Sequence, residues 1–169
     1  YIRDNYLGKS FMNKQKAILC VDDEEIILNS LLVQVEDIIG SQYDDYIVEV
    51  ALDANEANEI LDEFDEQGTD LAIVISDYIM PNIKGDELLI GIHDRYPNAL
   101  KIMLTGQANL DGVQNAINQA QLYRYISKPW SGHDLDLTIK EAIKSYETQN
   151  HLETIIAKRT NELTTVTRE

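Results

Sequence analysis

Leu71-Ala72-Ile73-Val74-Ile75-Ser76-Asp77 is an apolar run that does not alternate and that ends on an acid. A strand covered on one face alternates apolar and polar side chains, whereas one covered on both faces does not. The run therefore reads as the central strand of a parallel sheet with a carboxylate at its carboxyl end. Three other runs share this design. Ala17-Ile18-Leu19-Cys20-Val21 leads into Asp22-Asp23, Lys101-Ile102-Met103-Leu104 into Thr105-Gly106, and Tyr123-Arg124-Tyr125-Ile126-Ser127 into Lys128-Pro129. Short apolar runs separated by helical patterns imply βαβ units, and open parallel sheets bind ligands outside the carboxyl ends of their strands. The four polar ends are therefore expected on one edge.

The intervening segments carry helical periodicity. Ile27, Leu28, Leu31, Leu32, Val35 and Ile38 recur at helical spacing over about 24–39. Tyr46 to Ala51 alternates as a further strand. Asp53, with Glu56 three residues on, resembles a capping box opening a helix to about 66 whose inner stripe is Ala57, Ile60, Leu61 and Phe64. A helix is predicted over 86–95, and another from about 110 that turns Leu110, Val113, Ala116, Ile117 and Ala120 inward. Five βα units in this order predict an α/β fold, a doubly wound five-stranded parallel sheet of order 2-1-3-4-5. Strands one and three flank the switch point of that order, which brings Asp22, Asp23 and Asp77 together.

Composition narrows the partners. The formal charge is −16, and no Lys or Arg occurs between Lys16 and Lys84. Non-specific nucleic-acid binding rests on Lys and Arg neutralising phosphates, so this chain is expected to bind neither nucleic acid nor an anionic membrane. No apolar stretch approaches the roughly 20 residues that span a bilayer. The single cysteine, Cys20, lies inside a strand and reads as a buried thiol of a reducing, cytoplasmic protein. His93, His133 and His151 are spread along helical stretches and read as surface residues. Residues 1–14 read as an N-terminal extension or tag, 15–147 as the domain, and 148–169 as a helical linker toward an output domain outside this chain.

An ionised carboxylate such as Asp77 can attack phosphorus and carry an acyl phosphate. Attack on an anionic phosphoryl group needs nearby positive charge, and Mg²⁺ takes hard oxygen ligands, typically one or two carboxylates with waters and phosphate oxygens. Asp22 and Asp23 can anchor such an ion, with a backbone carbonyl after Asp77 as a further ligand. Lys128 is suited to pair with Asp77 before transfer and with a phosphoryl oxygen after it. Thr105 can donate a hydroxyl to another oxygen, and Gly106 allows the backbone close to the ligand.

Five separated elements agree in order and context with one family. Val21-Asp22-Asp23-Glu24, Ser76-Asp77-Tyr78-Ile79-Met80-Pro81 with Gly85, Leu104-Thr105-Gly106, and Tyr125-Ile126-Ser127-Lys128-Pro129-Trp130 resemble the receiver (CheY-like response-regulator) domain of bacterial two-component systems over about 16–147. The resemblance implies a flavodoxin-like receiver fold and a phosphorylation-dependent switch with no external enzymatic turnover. It implies Asp77 as phosphoacceptor from a histidine kinase or phosphotransfer protein. Asp22, Asp23, Asp77 and the Ile79 backbone carbonyl would hold Mg²⁺, and Lys128 and Thr105 would contact the phosphoryl group. Tyr125 occupies the switch-aromatic position, coupled with Thr105 to the face of helix 4, strand 5 and helix 5, about 109–147. Ile79 and Gln107 flank the path of the hydrolytic water in such proteins, and an apolar Ile79 predicts slow self-dephosphorylation.

Two other readings use the same residues. A haloacid-dehalogenase-like aspartyl-phosphate hydrolase also needs Asp, Mg²⁺, Thr and Lys, but places Asp-x-Asp after its first strand, where this chain has Asp22-Asp23. A pseudo-receiver would be a constitutive interaction or dimerisation module, against which the intact Asp22, Asp23, Asp77, Thr105 and Lys128 argue. From about 133 the chain reads as one helix to 169. Ala142, Ser145, Gln149, Leu152, Ile156, Arg159, Leu163 and Val166 follow the spacing of a coiled-coil seam that is half apolar. This predicts either a marginal dimerising stalk or a single amphipathic helix.

Overall fold

The central strand is where its composition puts it. In the computed structural model, which describes residues 14–40, 42–106 and 109–167, β3 (Asp70–Asp77) lies between β1 (Lys16–Val21) and β4 (Leu100–Thr105). β2 (Tyr46–Ala51) pairs outside β1, and β5 (Arg124–Ser127) outside β4. All neighbours are parallel, so the order is 2-1-3-4-5. Between and after the strands run α1 (Glu25–Ile39), α2 (Ala54–Gln67), α3 (Gly85–Arg95), α4 (Leu110–Ala120) and α5 (Gly132–Val166).

Two apolar layers cover the sheet. Ala17, Leu19, Val21, Leu71, Val74 and Met103 pack with α2, α3 and α4, while Ile18, Cys20, Ile73, Ile75, Ile102 and Leu104 pack with α1 and α5. Successive side chains of a strand point to opposite faces. The exception is Ala72, which shares a face with Ile73 because the β1–β3 register shifts between Ala17 and Ile18. Beyond this bulge the register pairs Val21 with Ser76, Asp77 with Leu104, and Thr105 with Ser127. The first polar residues past each strand therefore emerge side by side.

Local chemistry sets the helix ends. Asp53 accepts a hydrogen bond from the Glu56 amide at 2.8 Å, as a capping residue does. The Glu56 carboxylate reaches back to the amide of Leu52, one residue before the cap, at 2.8 Å. Ser131 caps α5 by accepting from the Asp134 amide at 3.0 Å. The boundaries follow the sequence reading to within a residue or two.

Three expectations are corrected. Leu110 and Ile117 do not face inward; they are 72% and 51% exposed, while Val113, Ala116 and Ala120 are buried as expected, together with Gly112. Small residues at these positions let α4 lie close to α3, which rotates the bulky pair outward. His93 is half-buried rather than a surface residue: its Nδ1 lies 2.7 Å from the ammonium of Lys101. Lys101 itself, read within an apolar run, is a charged side chain only 2% exposed.

α5 buries Leu135, Thr138, Ile139, Ala142, Ile143 and Tyr146, and every described residue from His151 onward is exposed. Its last fixed turn is held by Glu147, which accepts from the Tyr46 hydroxyl at 2.7 Å and pairs with Lys16. One further bond, from the Asn98 amide to Glu153 at 3.2 Å, ties it to the loop before β4. Its 35 residues span about 50 Å at 1.5 Å per residue. No described helix is long and apolar enough to cross a membrane.

Candidate functional site

The edge formed by the carboxyl ends of β1, β3, β4 and β5 gathers the acids, the lysine and the threonine. Asp22 is fully buried at the end of β1, Asp77 is buried at the end of β3, and Asp23 is exposed beside them. One carboxylate oxygen from each of the three lies within 4.8 Å of the others. The Lys128 ammonium enters from the loop after β5 and bridges two of them, 2.8 Å from Asp22 Oδ2 and 3.0 Å from Asp77 Oδ1. Pairing with Asp77 was expected; the equally close bond to Asp22 was not. The second oxygen of Asp22 accepts from the Glu24 amide at 2.9 Å, fixing the carboxylate against the start of α1.

The electrostatics follow from burial and crowding. Burial is the main cause that lifts the Asp77 carboxyl to about 6, the bond and charge of Lys128 pull it back, and Asp22 and then Asp23 push it up. Burial alone would lower Lys128, but its bonds to Asp22 and Asp77 outweigh that and raise it. Three carboxylates against one ammonium leave the cluster negative. Hard oxygen donors with unmet negative charge suit a small divalent cation, so the residues present fit Mg²⁺.

Thr105 ends β4 with its hydroxyl bonded to the Gly106 carbonyl at 3.0 Å. It shares a cavity of about 170 Å³ with Asn109, Leu110, Val113, Tyr125 and Ser127. Tyr125 is 53% exposed where it lines that cavity. Ile79 is exposed in the loop after β3; Gln107 lies outside the described residues, as do positions 1–13 of the expected extension. Trp130 packs where the last helix begins and donates to Gln34 of α1 at 3.0 Å.

Tyr78 and Gly85 were read only as part of the family motif, without the role they play in holding the acceptor loop. The Tyr78 amide donates to the Leu104 carbonyl at 3.0 Å, and the Gly85 amide to the Tyr78 carbonyl at 2.8 Å. A side chain at Gly85 would put its Cβ 2.0 Å from the Asp77 carbonyl oxygen, so glycine is required where α3 begins against the acceptor. The sequence signal was Gly85 itself, eight residues after Asp77 at a helix start.

Known proteins resemble this chain along most of its described length. The response regulator receiver domain family matches residues 18–140. Among curated relatives, the hydrogenase transcriptional regulatory protein HoxA of Bradyrhizobium diazoefficiens is 27% identical over 143 residues, which is 85% of this chain and 27% of that protein. This chain thus spans about a quarter of that relative's length. The signal receiver domain of an HD domain-containing protein from Pseudomonas fluorescens Pf-5 superposes with a TM-score of 0.67 at 30% identity, covering 83% of this chain and 95% of that one. A CheY-like receiver domain protein from Methanospirillum hungatei JF-1 gives 0.65 at 32% identity, covering 80% and 99%.

Proposed function

The chain belongs to the response regulator receiver domain family, and from that premise we propose that it is a switch phosphorylated on Asp77 by a histidine kinase or phosphotransfer protein. The observation that carries this reading is the Lys128 ammonium held between Asp22 and Asp77 at the carboxyl edge of the sheet. An ionised Asp77 oxygen attacks the phosphorus of a phosphohistidine; the P–N bond breaks, the imidazole leaves with the bonding pair, and an aspartyl phosphate forms. Lys128 then transfers its bond from the Asp77 oxygen to a phosphoryl oxygen while remaining on Asp22. Asp22, Asp23, Asp77 and the Ile79 carbonyl would hold Mg²⁺, whose charge offsets that of the incoming phosphoryl group.

The Thr105 hydroxyl leaves the Gly106 carbonyl for a phosphoryl oxygen, and Tyr125 turns into the cavity the two residues share. The face of α4, β5 and the first turns of α5 changes in consequence, and a second copy of the chain is the expected reader, through that face or through the exposed part of α5. Such a chain acts in the cytoplasm, with its effect delivered by an output domain outside it.

Beryllofluoride with Mg²⁺ mimics an acyl phosphate and tests the reading. The wild type is expected to bind it and Asp77→Ala to lose that binding; equal binding by both proteins, or none by the wild type, defeats the switch. The exposed apolar Ile79 offers nothing to orient a hydrolytic water, so the phosphorylated chain should persist for minutes or longer. Decay of a radiolabel within seconds would refute that.

A further inference from the structure

Two contacts, one from the acceptor loop and one from the start of α3, reach α4 without passing through Thr105 or Tyr125. Tyr78 follows Asp77 directly, and its backbone is bonded on both sides, to Leu104 and to Gly85. Its Cα is thereby fixed next to the peptide that carries Asp77. The Tyr78 ring lies on the backbone of α4 at Gly112, where an added Cβ would stand 2.1 Å from Cε2 and 2.4 Å from Cζ. The Lys84 ammonium is 5.7 Å from the ring centroid, within range of a cation–π attraction.

One helical turn further along α4, the Asn115 side-chain amide donates to Asp86 Oδ2 at 2.9 Å. Residues three apart share a helix face, so Gly112 and Asn115 form one contact strip toward α3. Asp86 is 7% exposed in the first turn of α3, and its other oxygen has no hydrogen-bond partner among the described residues. A buried carboxylate satisfied on one side only leaves the α3–α4 contact short of its best hydrogen bonding. Close-packed interfaces of this kind settle into discrete arrangements rather than deforming continuously. The contact is therefore suited to hold α4 in one seating and to release it into another.

We propose that Tyr78, seated on Gly112 and backed by the Asp86–Asn115 bond, is a positioning residue that couples the acceptor aspartate to α4 by a second route, parallel to that of Thr105 and Tyr125. Coupling between sites is reciprocal. Occupation of Asp77 shifts α4 through the Tyr78 ring, and a partner that reseats α4 alters the affinity of the acceptor site. The proposal rests on the reading of Asp77 as phosphoacceptor.

The test compares amide hydrogen exchange of residues 110–120 in the full chain with and without beryllofluoride and Mg²⁺, with site occupancy followed separately by fluorine NMR. In Tyr125→Ala at full occupancy, α4 should keep a severalfold ligand-induced change in exchange. Tyr78→Leu should lower beryllofluoride affinity by about fivefold or more and shrink the α4 response with Tyr125 intact. Tyr78→Phe, which keeps the ring, should restore both, and Asn115→Ala should weaken both without touching the acceptor loop. Complete loss of the α4 response in Tyr125→Ala, or wild-type affinity and response in Tyr78→Leu, overturns the second route. A wild type that shows no bound fluoride signal fails earlier, and takes down the phosphoacceptor reading together with the coupling.

Discussion

Lys101 is the first fully enclosed side chain of β4, and among the described residues its ammonium has two hydrogen-bond partners, the His93 ring at 2.7 Å and the Pro97 carbonyl at 3.5 Å. Burial, then the Lys101 charge, holds the His93 imidazole neutral, so Nδ1 accepts from the ammonium. Burial also draws Lys101 down from 10.5 to about 8. Folding thus favours the uncharged amine: its stabilising contribution is complete above the unfolded value and is lost as pH falls toward about 8. Lys101→Met should therefore stabilise the protein by ~2 kcal/mol at pH 7, with the advantage shrinking as pH rises toward 10; paired urea titrations check it. At the acceptor, Lys128 opposes the burial that lifts Asp77 to about 6. Lys128→Met should move that midpoint upward, read from the Asp77 carboxyl carbon by NMR in the presence of a chelator. Asp22, Asp23, Asp77, Thr105 and Lys128 were all legible as residues because each follows a strand. The Lys101–His93 contact was not, since nothing in Lys-Ile-Met-Leu distinguishes a buried ammonium from a solvated one.

Helices tell a similar story at the scale of the element. Gly85 and Gly91 both lie in α3, yet they make opposite demands. An alanine at Gly85 would collide with the Asp77 backbone, whereas one at Gly91 meets nothing within 4 Å. Gly85→Ala should cost about 2 kcal/mol or more through overpacking and weaken beryllofluoride binding, while Gly91→Ala should stabilise by ~0.5–1 kcal/mol through helix propensity. Thermal melts of the two variants separate these outcomes. Periodicity located α4, because an apolar stripe needs only the helical repeat. It placed Val113, Ala116 and Ala120 inside correctly but turned Leu110 and Ile117 inward with them, because hydrophobicity favours the bulky pair whereas close approach to α3 favours Gly112 beside Ala116. Size, not polarity, decided that orientation, and size matters only against a particular neighbour such as the Tyr78 ring.

Across the whole molecule, α5 divides at Glu147. Before it the helix completes the core under β1 and β3; after it, among the described residues, one hydrogen bond, from Asn98 to Glu153, ties the helix back to the domain. A chain ending at Asn150 keeps every buried α5 residue, so its melting temperature should stay within a few degrees of that of the full chain. If the exposed Leu152, Ile156, Leu163 and Val166 form a seam between copies, beryllofluoride-driven association in sedimentation should weaken in the shortened chain; unchanged association would assign the contact to the α4–β5–α5 face. The amino-acid sequence by itself determined the strand order, the edge on which chemistry gathers and the identity of the acids, lysine and threonine there. Those follow from local periodicity and from the rule that parallel strands present their carboxyl ends together. Only the tertiary structure decided that Lys128 bridges two aspartates, that Tyr78 rests on Gly112 and that Lys101 is enclosed. Each of these depends on how packing seats one element against another, which periodicity does not encode.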